Sequence, residues 1–349
     1  MKTCHLAVLA TLLTLSCASK NPGPAEPVPV SQVSVQRIWE KDYSAFPSLE
    51  AFKGSYFVSF REGESHIFDS KREASGKVRI LRSENGDDWT PVALLAKEGF
   101  DLRDPHLSVT PDGRLMVIMG GSIYRDQKLT GKIPHVSFSS DGKTFSDPEP
   151  VVYEDNPKAG NEWFWRLTWN GDTGYTVSYG SGKLLLLKTS DGIHYRKITD
   201  LAIDGSPNET TLRFLPDGRM LLLARREGSD QSGCWGVSEP PYTDWEFKLI
   251  GFRIGGPDFL LLDEETVIAG GRAYLEKANR TRLWKGGIDG RFEVRYTLPS
   301  GSDNSYPGLL RVGDELWVVY YSSHELTTED GTKRAGIYFA KLPLSLFED

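Results

Sequence analysis

The chain is poor in cysteine, with three in 349 residues. Cys4 and Cys17 belong to an apolar leader, so only Cys234 remains in the folded body. No intrachain disulfide can brace that body. Cys234 stands beside Trp235 in a strand-like run and reads as a buried structural thiol rather than a nucleophile. Long runs of helical period are missing after the leader, which argues against a helical protein. Basic stripes and polybasic tails are missing too. With a net charge of -7, nucleic acid is not an expected partner. The six histidines have no metal-ligand spacing. No Gly-rich loop follows a strand and opens a helix. Neither a metal nor any other cofactor is expected.

What is present points to an all-β fold. Hydrophobic residues make up 39% of the chain, and 35 Gly and 20 Pro are spread evenly along it. Residues 1–16 read as an export signal, with Lys2 as its positive end and residues 6–15 as its apolar stretch. That stretch is too short to span a bilayer as a stable helix. It runs into Leu15-Ser16-Cys17, which resembles a bacterial lipobox, with Thr14 where leucine is usual. The reading is lipidation of Cys17; the alternative is ordinary cleavage near Ala18. Residues 17–32 then hold the lipidated cysteine and a Pro-rich, extended tether. These features imply an exported lipoprotein, periplasmic or at the outer membrane or cell surface. It would meet the membrane through its anchor only. The rest, 33–349, is read as one monomeric domain.

That domain repeats. Ser83-Glu84-Asn85-Gly86, Ser139-Ser140-Asp141-Gly142 and Ser190-Asp191-Gly192 each precede an aromatic: Trp89, Phe145 and Tyr195. Each follows a strand-like run. Asp or Asn with Gly makes a turn, and the aromatic pins it to the sheet. A degenerate fourth lies at 238–245. In the same phase stand six alternating hairpins, at 47–60, 105–119, 163–179, 210–224, 259–269 and 308–321. The spacing is that of four-stranded propeller blades. Six hairpins predict a six-bladed β-propeller; five blades is the alternative, if one hairpin is an insertion. Residues 336–342 could pair with 33–39 and close the ring.

Polar residues gather where the hairpins begin and end. These are Arg61, His66 and Asp69; Arg103 and Asp104; Arg166; Glu209 and Arg225; Asp258 and Arg272; and Tyr306. Converging on one axis, so many arginines should favour an anion. Arginine also suits a bidentate grip on a carboxylate.

The order and spacing of Glu209, Arg225, Arg272 and Tyr306 resemble the sialidase (neuraminidase) family. The carrying segments are Glu209-Thr210-Thr211 through Arg225, the Gly270-Gly271-Arg272-Ala273-Tyr274 run, and Asn304-Ser305-Tyr306-Pro307. The short turns resemble that family's Asp-box (BNR) turns. The resemblance covers residues 33–342. It implies a Tyr306 nucleophile activated by Glu209, with Arg225 and Arg272 holding a carboxylate. Arg61, Arg103, Arg166, His66 and Asp258 would be further substrate contacts. A neutral phenol suits attack on an anomeric carbon that bears a carboxylate, because a carboxylate nucleophile would be repelled. The acid for the leaving oxygen is Asp69 by family position or Asp104 by context, and the residues leave both open.

The sequence departs from that family at the first blade. Where the family has Phe-Arg-Ile-Pro, this chain has Ser44-Ala45-Phe46-Pro47, so one clamp arginine is missing. The expected activity is therefore an exo-acting glycoside hydrolase releasing a terminal, acidic sugar from a glycan. The alternatives are a non-catalytic carbohydrate-binding propeller and a hydrolase or lyase acting on uronic acids or other glycans.

Overall fold

Turn residues every few positions and alternating apolar residues between them leave the chain one economical arrangement, a series of short meanders. The computed structural model describes residues 33–155, 161–180, 183–326 and 334–348. The leader, Cys17 and the tether lie outside the described residues. Among these residues the strands form six sheets. The chain is thus an all-β, six-bladed propeller, and none of the six hairpins is an insertion.

The first strand of each blade lies innermost. These are Tyr43–Phe52, Asp101–Val109, Pro207–Phe214, Ile254–Leu261 and Asn304–Val312. The third blade has an interrupted one, Trp163–Phe164 and Thr168–Asn170. First strands of successive blades pack on one another; Tyr43–Phe52 touches both Asp101–Val109 and Asn304–Val312. Each pairs outward with an apolar second strand such as Met220–Arg226, in which Leu221, Leu222 and Leu223 are fully buried. The ring closes as the sequence suggested. Ser34–Trp39 pairs antiparallel with Gly336–Pro343, Val35 opposite Ala340, and completes the last blade.

The three Asp or Asn turns work through side-chain caps. Asp141 Oδ1 accepts from the Lys143 and Thr144 amides, and the Gly142 amide donates to Ser139 Oγ. Asn85 and Ser83 do the same in the first blade. In the third, the hydroxyl that caps Gly192 is Thr189, one residue before the expected Ser190. The aromatic closes the turn: Tyr195 donates its hydroxyl to Gly192 O at 3.0 Å.

One irregularity recurs and matters for function. The innermost pairing slips at Ala45/Ser48, Arg103/His106, Pro207/Thr210, Gly255/Asp258 and Ser305/Gly308. This is a β-bulge at the same level in five blades. In four of them proline follows the bulged residue: Phe46-Pro47, Asp104-Pro105, Gly256-Pro257 and Tyr306-Pro307. All four bulged residues have positive φ, 59° at Phe46, 48° at Asp104, 55° at Gly256 and 50° at Tyr306. Such a backbone costs a non-glycine residue on the order of 1–3 kcal/mol and is kept where it re-aims a side chain.

Candidate active site

The bulges aim side chains into one pocket of about 570 Å³ at the leading ends of the innermost strands. Phe46, Asp104, Glu209 and Tyr306 reach it from the bulges of four blades. Arg225, Arg272 and Tyr321 reach it from the second strands. Its buried floor is aromatic. Phe46 packs edge-on to Tyr306 with ring centroids 5.1 Å apart, and the fully buried Trp165 packs on the same ring at 5.8 Å.

At the centre, Tyr306 donates its hydroxyl to Glu209 Oε1 at 2.6 Å. Glu209 also accepts at Oε2 from the Gly256 amide at 2.7 Å. Arg225 Nη1 stands 3.0 Å from each Glu209 oxygen and 3.0 Å from the Tyr306 hydroxyl. Burial, and then the Glu209 charge, push the Tyr306 hydroxyl well above its ordinary pKa, although Arg225 and Arg272 oppose this. The resting phenol is therefore neutral and already hydrogen-bonded to the Glu209 carboxylate.

Gly256 is required by this geometry. A Cβ there would come within 2.5 Å of the Tyr306 ring, on a backbone with φ of 55°. Gly256→Ala should displace Tyr306 and lower turnover by about a hundredfold, since misplacing a reacting group by an ångström costs that much. Steady-state kinetics on any productive substrate would check it, and unchanged kcat would contradict it.

Asp104 is a further carboxyl group lining the pocket. Burial pushes its pKa up to about 6, the nearby Arg103 charge opposes, and Glu209 adds to the rise. Asp69 is elsewhere: it is half-buried and caps a turn by accepting from the Lys71 and Glu73 amides. Its role is local, and of the two only Asp104 lines the pocket.

Of the other candidates, Arg103, Arg225, Arg272 and His66 line the pocket. Arg61, Arg166 and Asp258 do not, and each has a physical reason. Arg61 is 1% exposed and turned into the blade, where its Nε meets Asp101 Oδ1 at 2.8 Å. Its other nitrogens donate to Ser65 O and Ile67 O. Arg166 and Asp258 lie past the bulge, toward the trailing ends of the innermost strands. They line a separate cavity of about 440 Å³ there. Arg166 donates to Pro307 O at 2.6 Å, and Asp258 is held by Arg213 Nη2 at 2.7 Å. Cys234 is buried, and burial raises its thiol pKa to about 11, as a structural thiol should behave.

Sequence reading missed Arg253, Glu227 and Asp303. Arg253 lies flat over Tyr274, its Cζ 3.7 Å from the ring centroid, and pairs with Glu227. Glu227 also pairs with Arg225. Asp303 meets Arg272 Nη2 at 2.8 Å and His66 Nδ1 at 3.0 Å. Burial alone would raise its pKa, but the His66 contact and the Arg272 charge hold it well below the usual carboxylate range. Glu227 and Asp303 sit next to residues that were singled out, just outside the hairpins, and that adjacency was the available signal.

No protein-family model and no curated protein sequence matches this chain. Solved structures do. A protein of unknown function from Dyadobacter fermentans shares 17% identity over 90% of this chain and 100% of its own, with a TM-score of 0.72. NanB sialidase from Streptococcus pneumoniae shares 10% identity over 89% of this chain and 71% of its own, TM-score 0.67. An α-L-arabinanase from Penicillium chrysogenum shares 15% identity over 89% and 98%, TM-score 0.64. The chain has the six-bladed propeller fold of these glycoside hydrolases.

Proposed function

We propose that the protein is an exo-acting, retaining glycoside hydrolase in which Tyr306 is the nucleophile, Glu209 its base and Asp104 the acid. The observation that carries this is the 2.6 Å hydrogen bond from Tyr306 to a carboxylate that Arg225 and the Gly256 amide fix in place. A core tyrosine needs no such partner. In the first step the Tyr306 oxygen bonds to the anomeric carbon while its proton passes to Glu209. The glycosidic bond breaks, and Asp104 gives its proton to the leaving oxygen. In the second step water attacks the glycosyl-tyrosine, Asp104 takes the water proton, and Glu209 returns the phenolic proton. Two displacements retain configuration. The aromatic floor supports attack at a chain end, because a blind pocket has no exit for a continuing glycan.

The acid must be protonated to act. Its raised pKa means that the active form is half populated near pH 6, fills as pH falls below that value and is lost as pH rises through it. The rate on substrates with poor leaving groups should therefore fall above about pH 6. Asp104→Asn should remove that limb and slow those substrates by roughly 10²–10⁴-fold, while aryl substrates with good leaving groups lose much less. A wild-type profile flat from pH 5 to 8 would exclude Asp104 as the acid. The whole reading is tested by product stereochemistry: NMR of the first-formed sugar should show retention, and inversion would end it.

A further inference from the structure

The arginines beside the reacting pair are already occupied. Arg225 gives Nε and Nη2 to Glu227, and Nη1 to both oxygens of Glu209. Arg272 lies over the Tyr306 ring, its Cζ 5.2 Å from the centroid. Its Nε donates to Asn304 O at 2.8 Å. Its Nη2 stands 2.8 Å from Asp303 Oδ1, 2.7 Å from Asn304 O and 2.8 Å from the Tyr321 hydroxyl. A guanidinium grips a carboxylate through two adjacent nitrogens, and each such edge includes Nη2. On both arginines that nitrogen is taken by the chain's own acceptors.

Charge leads to the same place. Around Tyr306, Arg225, Arg253 and Arg272 stand against Glu209, Glu227 and Asp303, three cations against three carboxylates. The fourth arginine, Arg103, stands between Asp104 at 3.4 Å and Asp101 at 3.8 Å. An entering carboxylate would compete with one of these and stand beside it, in a site partly shielded from water where like charges repel more strongly than in bulk solvent. Sugar hydroxyls both donate and accept, so a rim of alternating guanidinium and carboxylate groups satisfies them.

We infer that the pocket takes a glycone without a carboxylate, a neutral sugar, and that Asp303 and Glu227 set this by occupying Arg272 and Arg225. The inference rests on the reading of Tyr306 and Glu209 as the reacting pair. It departs from the acidic sugar that the arginines alone suggested. The reason for a phenol nucleophile then lies in the pocket: a further ionised carboxylate would join three already there.

The test is calorimetric titration of the full chain with galactose, rhamnose and arabinose, and with glucuronate and sialic acid. Release of nitrophenol from the matching glycosides is followed in parallel. At least one neutral sugar should bind roughly tenfold or more tightly than either acid, the effect of one charge-assisted hydrogen bond. Asp303→Asn removes the negative charge facing Arg272 and should narrow or invert that ratio. The inference is overturned if either acid binds as tightly as the best neutral sugar, or if no neutral sugar binds. Acidic glycosides cleaved in a Tyr306-dependent way would overturn it and leave the hydrolase reading intact. Neutral sugars bound while none of the glycosides is cleaved would overturn the hydrolase reading and leave the inference intact.

Discussion

Tyr306→Phe should lower turnover by at least about a thousandfold and change ligand affinity by no more than a few-fold. The substitution removes only the hydroxyl. Glu209 keeps its contacts with Arg225 and the Gly256 amide, so no buried carboxylate is stranded. The ring keeps its packing against Phe46, Trp165 and Tyr321. Stability should fall by about 1 kcal/mol, the worth of one hydrogen bond. The rate falls far more, because the atom that forms the covalent intermediate is gone. Binding by calorimetry alongside single-turnover kinetics separates the two effects. If Tyr306 were only a core residue, the Phe variant would keep near-full activity, and the double-displacement mechanism would be abandoned.

The second large effect is on folding. Asp101→Ala should destabilise the protein by about 3–5 kcal/mol, because it leaves Arg61 buried without a counter-ion. The two side chains are 0% and 1% exposed and 2.8 Å apart. Two backbone carbonyls continue to accept from Arg61, but they carry no full charge. Domains of ordinary stability hold about 5–15 kcal/mol in all, so the melting temperature should drop by on the order of 10 °C. Replacing both partners, Arg61→Leu with Asp101→Leu, should recover much of the loss, since no bare charge then remains. Thermal melts of the single and double variants decide it. A single variant that melts like wild type would show that Arg61 is not held as the geometry implies.

This pair also shows what the sequence could and could not convey. Alternation and Asp-Gly turns set the six hairpins and even the closing strand, because period and turn chemistry are local. In the structure Arg61, Arg226 and Arg272 share one register, and in the fourth blade that is one residue on from the Arg225 that repeat phase singles out. Each second-strand residue pairs with the last position before the bulge: Ala45, Pro207 and Gly255 respectively. Phase does not say which way a side chain leaves that position. Arg61 turns inward to Asp101, and Arg226 turns to Asp230 at 2.7 Å. Only Arg272 reaches the pocket, where Asp303 meets it. The direction is set by carboxylates outside the second strand itself: Asp101 at the start of the next blade's first strand, Asp230 four residues on from Arg226, and Asp303 just before Asn304–Val312. Asp258 misled for a related reason. It lies two residues past the bulged Gly256, and the bulge separates residues that face the two ends of the axis. The recurring X-Pro dipeptide was legible in the sequence. That it marks a left-handed bulge became clear only from the backbone.

The closing strand carries a further consequence for how the chain reaches this state. Val35 and Ala340 are neighbours in space but stand near opposite ends of the described chain. Among the described residues the last blade therefore has the highest contact order, and it cannot assemble until Gly336–Pro343 has been made. Until then the early strand waits without its partner, exposing backbone donors and acceptors. The ring is fastened by the first and the last strands of the described residues. A nascent chain of this kind spends most of its translation as an unfinished arc.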